Sequence, residues 1–180
     1  MAERYGHTVF GLNDVKIAQW TAENTYGAEV DMYAAQSLEV TLDTVTADLP
    51  GDDHITESHS KVIGGTVRCR NGRFSLDAMA ILTGETLDST TSEDYDEMIF
   101  GESNRPYFGL CGRALDTGDG RDTHVFLPKI KVTGPIPIRM EYGAFVVPEM
   151  EAKAVYEGAT NGVARVRKHA VATAISIPLA

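Results

Sequence analysis

The carboxylates of Asp116, Asp119 and Asp122 recur every third residue in the run Asp116-Thr-Gly-Asp-Gly-Arg-Asp122. Carboxylates gathered in a glycine-rich segment can bind a cation or share a proton. An EF-hand-type calcium loop takes ligands from alternate positions and closes on a Glu, and this spacing supplies neither. Asp52-Asp53 reads as a solvated acidic loop. The five histidines, His7, His54, His59, His124 and His169, show no HxH, HxxxH or HExxH spacing, so neither a metal site nor a cofactor is expected. Cys69 and Cys111 are the two cysteines, neither in a CxxC pair, and read as reduced thiols on strands. The chain contains no GxSxG elbow, no GxxxxGK[ST] loop and no GxGxxG turn.

Ala114-Leu115-Asp116-Thr117-Gly118 resembles the hydrophobic-Asp-Thr-Gly signature of retroviral-type aspartic proteases. There, one Asp per subunit meets its twin and the pair shares a proton, giving an acid and a base together. Asp119 stands where that family favours a small residue, and no apolar-Ile-Leu-Gly partner follows. The segment therefore reads as a hairpin connection, and the chain is not expected to be an enzyme.

The elements that position these residues are those of a single domain of 180 residues, with 43% hydrophobic and 23% charged residues, enough to bury a core. Asp and Glu number 26 against 16 Lys and Arg, a formal charge of −10. That balance argues against a protein that grips nucleic-acid phosphates, though not against one that nucleic acid slides past. No apolar window is long enough for a membrane helix, and Met1–Gly6 lacks the apolar stretch of a signal peptide. The chain is thus expected to stay where it is made.

The dominant period is two. Leu38, Val40 and Leu42 alternate with Glu39, Thr41 and Asp43, a half-buried strand within 37–46. A polar segment punctuated by Pro50-Gly51 predicts a loop over 47–58. A second strand returns over 59–70, with Ile63, Val67 and Cys69 opposite Thr66, Arg68 and Arg70. Ser75–Gly84 predicts a helix, N-capped by Ser75, with Asp77 in its first turn and Gly84 at its end. Residues 85–94 predict a polar loop, and strands are expected over 95–100, 107–115 and 123–132. Over 144–156, Ala144, Val146, Pro148, Met150, Ala152, Ala154 and Tyr156 share a face opposite Glu149, Glu151 and Lys153. From Val163 onward, Arg165, Arg167 and His169 alternate with Ala164, Val166 and Ala170, so acids of one strand are expected to oppose bases of the other. The expectation is a mainly β domain, a sandwich or barrel with one flanking helix and two long hairpins. Such hairpins exceed what a core of this size needs, and their edges call for partners in other copies of the chain.

The order of Gly27–Leu42, Asp48–Asp53, Lys61–Val67, the helix Ser75–Gly84 and Met140–Phe145 resembles the major tail tube proteins of long-tailed (siphovirus-type) bacteriophages, over roughly residues 10–170. The resemblance implies a β-sandwich flanked by a helix, six copies to a ring, and rings stacked helically into a tube of the virion tail. Each subunit gives two hairpins, about 37–70 and 144–171, to a continuous intersubunit β-barrel around a channel for the genome. Glu39, Thr41, Asp43, Glu149 and Glu151 are then candidates to line the channel, with Arg165 and Arg167 tempering the field if they also face inward. Asp52, Asp53, Glu57, Asp88 and Glu93 are candidates for inter-subunit contacts in the loops 47–58 and 85–94. Terminal arms are expected at about 1–10 and 172–180. The implied partners are further copies of the chain, a tape measure protein, tail terminator and baseplate or initiator proteins, and DNA passing without sequence-specific binding. Assembly would occur in the host cytoplasm. The same fold serves inner tubes of contractile tails and injection systems, and a connector or terminator forming single rings is a third alternative.

Overall fold

The structure is a computed structural model that describes residues 9–51, 54–73, 75–91, 94–116 and 120–179. It is mainly β, 56% strand, with one short helix among the described residues. In chain order the elements are β1 Val9–Ala22, β2 Thr25–Asp31, β3 Ala35–Gly51, β4 His54–Asn71, α1 Leu76–Thr83, β5 Leu87–Asp88, β6 Glu97–Met98, β7 Phe108–Asp116, β8 Asp122–Val132, β9 Glu149–Ala154 and β10 Arg165–His169. The large antiparallel sheet runs β2-β1-β7-β8-β9-β4-β3, with β10 also on β8, while β5 and β6 make a small separate pair.

The helix forms as its sequence dictates. The Ser75 side chain accepts from the Ala78 N–H, and Gly84 closes the helix at φ 80°, with its N–H donating to the Ala80 carbonyl. Met79 and Leu82 are buried, and α1 covers one face of the sheet. On that face Val15 and Ile17 of β1, Val67 and Cys69 of β4, Phe108 and Leu110 of β7, Leu127 and Ile130 of β8 and Met150 and Ala152 of β9 make one core. A second cluster joins Ala18, Cys111 and Phe126 to Ile175, Ile177 and Leu179. Residues 108–112 are consequently buried without interruption, because the core covers one face and the C-terminal segment the other. Burying each large side chain contributes about 1.5–3 kcal/mol. The segment 172–179, expected as an arm, is therefore part of the body.

β8 pairs with β7 along one edge and divides its other edge between two strands. β10 takes Asp122–Phe126, and β9 takes Ile130–Val132. The division falls at Pro128, which has no N–H to give a neighbouring strand. The β7–β8 register slips there as well, between the pairs Phe108–Ile130 and Leu110–Leu127. The Pro128 carbonyl accepts instead from the Tyr26 hydroxyl at 2.9 Å.

Several expectations need correcting. The loop expected over 85–94 holds the short strand β5, and of the strand expected over 95–100 only Glu97–Met98 is strand. Residues 47–51 and 54–58 are strand, not loop, since β3 and β4 run almost to one another. Both faces of the ribbon are exposed there, so no alternation marks it. The segments around 149 and 165 do not pair as a hairpin, because β9 lies between β8 and β4 while β10 lies on β8. Only Glu149–Ala154 of the long alternating run is strand. The hairpin β1–β2 was not anticipated, as Asn13-Asp14 and Gln19 break the alternation of Val15 and Ile17.

Gly109 sits in the β7–β8 slip, where a Cβ would stand 2.6 Å from Tyr26 Cε1 and 3.2 Å from Ile177 Cγ2. Gly109→Ala is expected to lower stability by about 1–3 kcal/mol. Gly101→Ala, with nothing within 4 Å, should change it by less than about 0.5 kcal/mol. Urea titration followed by circular dichroism checks both.

Candidate functional site

Three strands bring the sequence-selected carboxylates together. Across β3, β4 and β9 the rows read Glu39–Arg68–Glu151, Ser37–Arg70–Glu149 and Thr41–Thr66–Lys153. Residues directly opposite one another in an antiparallel ladder point to the same side. This is the outward side, since the intervening Val67, Cys69, Met150 and Ala152 enter the core. Arg68 Nε stands 3.2 Å from Glu151 Oε2, and Arg70 Nε 4.0 Å from Glu149 Oε2. Asp43 is half-buried opposite Gly64, where a register shift separates the Asp43 and Thr44 pairs.

Glu39, Thr41, Asp43, Glu149 and Glu151 thus share one surface, but it is not simply acidic. Four carboxylates alternate with Arg68, Arg70 and Lys153. The cations opposing Glu149 and Glu151 come from β4, whereas Arg165 and Arg167 lie on β10 beside β8. Sequence reasoning had placed Arg68, Arg70 and Lys153 on polar faces without naming them as site residues. Their i, i+2 spacing is the same signal that selected the acids. The ion pairs are about half exposed, so each contributes no more than about 1 kcal/mol and serves mainly to set the charge pattern.

Beyond Gly65 the β3–β4 pair loses its third strand, since β9 reaches only Gly65–Arg70. The outer ribbon, 44–51 with 54–63, extends about 26 Å at ~3.3 Å per residue. It carries exposed Val45, Leu49, Ile55, Val62 and Ile63, with Leu49 59% and Ile55 61% accessible. Glu57 lies on this ribbon opposite Leu49. At the other end of the β4–β9 ladder, where Asn71 N–H donates to the Pro148 carbonyl, the connection 133–148 makes a second excursion. It turns at Gly143 (φ 77°) and exposes Met140 at 82% and Phe145 at 94%.

The remaining sequence candidates lie apart from this surface. The Asp88 carboxylate is taken up by its own turn, where the Thr91 hydroxyl and the Thr90 and Thr91 N–H groups hold its pKa at about 2. Asp52, Asp53 and Glu93 lie outside the described residues, as do Thr117, Gly118 and Asp119 of the protease-like string and the N-terminal segment 1–8. Asp116 ends β7, and its N–H donates to the Arg121 carbonyl at 2.9 Å.

Two further polar clusters are partly or wholly buried. Glu157 accepts from Trp20 Nε1 at 2.6 Å, from Asn161 Nδ2 at 2.5 Å and from the Tyr26 hydroxyl at 3.2 Å, which clamps the β1–β2 hairpin to the β9–β10 connection. Burial, followed by the Glu157 charge, drives the Tyr26 phenol well above its ordinary pKa. With its hydrogen bonds so filled, Glu157 has a structural role. The second group is Asp122, His124 and His169, which offer one ligand atom each within 4.8 Å of one another. Sequence spacing missed it because His169 arrives on a different strand. The Asp-x-His on β8 was its one local trace.

No helix of the described residues is long and apolar enough to cross a membrane. No protein-family model matches the chain, and comparison with the curated proteins yields no match.

Neither thiol offers a nucleophile. Cys69 and Cys111 are buried, and burial pushes both pKa values up to about 12. Native protein at pH 8 is expected to leave Ellman's reagent unreacted, and unfolding in guanidinium should release two thiols per chain. Above pH 9 the unfolded chain loses these protons before the native state does. Stability should therefore fall as pH rises from about 9 towards 12, which thermal melts would record.

Proposed function

We propose that this chain is a structural subunit that polymerises with copies of itself into a tube of the phage-tail type, its acid-and-base-laced face turned to a channel through which DNA passes. The observation that carries the reading is the outer β3–β4 ribbon. A two-stranded ribbon with apolar side chains in water is marginal by itself, and its long edges are templates for further strands. Strands from neighbouring copies would cover Val45, Leu49, Ile55 and Val62 and complete the ladder.

The placement of the second excursion supports the same reading. The ribbon and the loop 133–148 lie at opposite ends of the β4–β9 ladder. Two different apolar surfaces on one molecule favour a heterologous, head-to-tail contact. Such contacts generate closed rings or open helical stacks, whereas a two-fold dimer uses one patch twice. The expected second barrel hairpin is absent as a β9–β10 pair, and the proposed tube takes its other intersubunit element from 133–148 leading into β9. A sandwich arrangement of the body is consistent with β3 folding over β7, where a Cβ on Gly112 would stand 2.5 Å from Leu38 Cδ2.

The channel face acts by what it withholds. Arg68 and Arg70 have carboxylates as cross-strand neighbours, and only Lys153, with Lys131 opposite it on β8, adds basic charge beyond them, so phosphate finds few uncompensated cations along β3 and β4. DNA can then slide without a fixed station. Inner tubes of contractile tails share this physics, and a sheath partner distinguishes them.

Negative-stain microscopy of the purified chain at rising concentration, with an initiator complex supplied, is expected to show hollow tubes or stacked rings. Replacing 44–63 by an Asn-Gly turn between Asp43 and Gly64 should leave a folded monomer of native circular dichroism that never assembles. A wild type that stays monomeric, or a shortened chain that still forms tubes, would overturn the reading. With Glu39→Lys and Asp43→Lys together, tubes should form while genome ejection slows. Normal ejection would remove these residues from the channel wall.

A further inference from the structure

We propose that Asp122, His124 and His169 form a binding site for one divalent transition-metal ion of the zinc class, which ties β8 and β10 to the C-terminal segment. The site is independent of the tube reading.

Topology assembles it. Asp122 and His124 alternate on β8 and so share a face. His169 is the cross-strand partner of Asp122 on β10. The His124 and His169 rings stand 4.3 Å apart between centroids, and one ligand atom from each of the three residues lies within 4.8 Å of the others. Ligands about 2.0–2.2 Å from a shared tetrahedral ion stand about 3.3 Å apart, so binding draws the three together by small side-chain rotations.

The second observation is unfilled hydrogen-bonding capacity. Asp122 is 0% exposed and His124 1%, yet Asp122 Oδ1, His124 Nδ1 and His169 Nε2 are buried with no hydrogen-bond partner among the described residues. Each such orphan has lost its hydration without compensation in a site of only protein atoms. A cation accepting lone pairs supplies that compensation. The other Asp122 oxygen is already engaged, since Oδ2 accepts from the Thr173 N–H at 2.7 Å and lies 3.1 Å from His124 Nε2. Outer hydrogen bonds of this kind fix the orientation of metal ligands.

The charges nearby are compatible with a dication. Two cations flank His124, Arg113 across β7–β8 and Arg167 across β8–β10, and Arg113 commits its guanidinium to the Thr173 carbonyl at 3.0 Å and to Asn13 Oδ1 at 2.5 Å. Two imidazoles and one carboxylate suit Zn²⁺, Co²⁺ or Ni²⁺ and not the all-oxygen preference of Ca²⁺ or Mg²⁺.

The test uses the full chain stripped with EDTA. Titration with ZnCl₂ in a calorimeter is expected to give one ion per chain, and CoCl₂ should produce the intense visible bands of four-coordinate cobalt. The melting temperature should climb with free metal concentration, as it does when a ligand binds only the native state. His169→Gln, on the more accessible strand, should retain native circular dichroism and lose both signals. His59→Gln on the outer ribbon should keep them. Wild type that takes up no stoichiometric metal, or a folded His169→Gln that binds as wild type does, would overturn the proposal.

Discussion

Pro128 interrupts the strand on which the rest of the sheet is hung. A proline in a central strand removes one ladder donor, and the register of β7 against β8 slips at that position. One edge of β8 is thereby split between β10 before the break and β9 after it. The split positions both polar groups of interest. Before it, β10 sets His169 against Asp122 and His124. After it, β9 reaches β4 and sets Glu149 and Glu151 against Arg70 and Arg68. The Pro128 carbonyl accepts from the Tyr26 hydroxyl, and Glu157 holds the same tyrosine. Gly109, opposite the break, leaves room for that ring.

The body and the ribbon stand on different physical footings. The body buries side chains on both faces of β7 and β8, with α1 and the core on one side and Ile175, Ile177 and Leu179 on the other. The outer ribbon has hydrogen bonds between its two strands but no core beneath it. Its folding free energy in isolation is small, so its order and its purpose both point outward. The same reasoning applies to Met140 and Phe145, whose exposure an isolated domain has no reason to keep.

Charge adds a second layer. A net charge of −10 excludes a basic DNA grip, yet the selected face carries Arg68, Arg70 and Lys153 among its acids. Paired charges keep the face polar and hydrated while leaving little net field to attract or hold a phosphate. The charge pattern therefore sets the character of the surface more than the stability of the fold, because exposed pairs contribute little to folding.

Local information was enough for α1, for the alternation of the inner parts of β3 and β4, for the existence of β7 and β8, and for the polar sides of Glu39, Thr41, Asp43, Glu149 and Glu151. Caps and period-two patterns act within a few residues of their cause, and the sequence by itself determined them. It could not reveal the strand character of 47–51 and 54–58, where two solvated faces erase the alternation, nor β1, where bulges shift it. The partners of β9 and β10 were decided only by the tertiary structure. Their alternation says which side chains share a face but not which strand lies beside them. The change of partner falls at Pro128, which has no N–H to give, and on one side of it Asp122, His124 and His169 meet from distant parts of the chain.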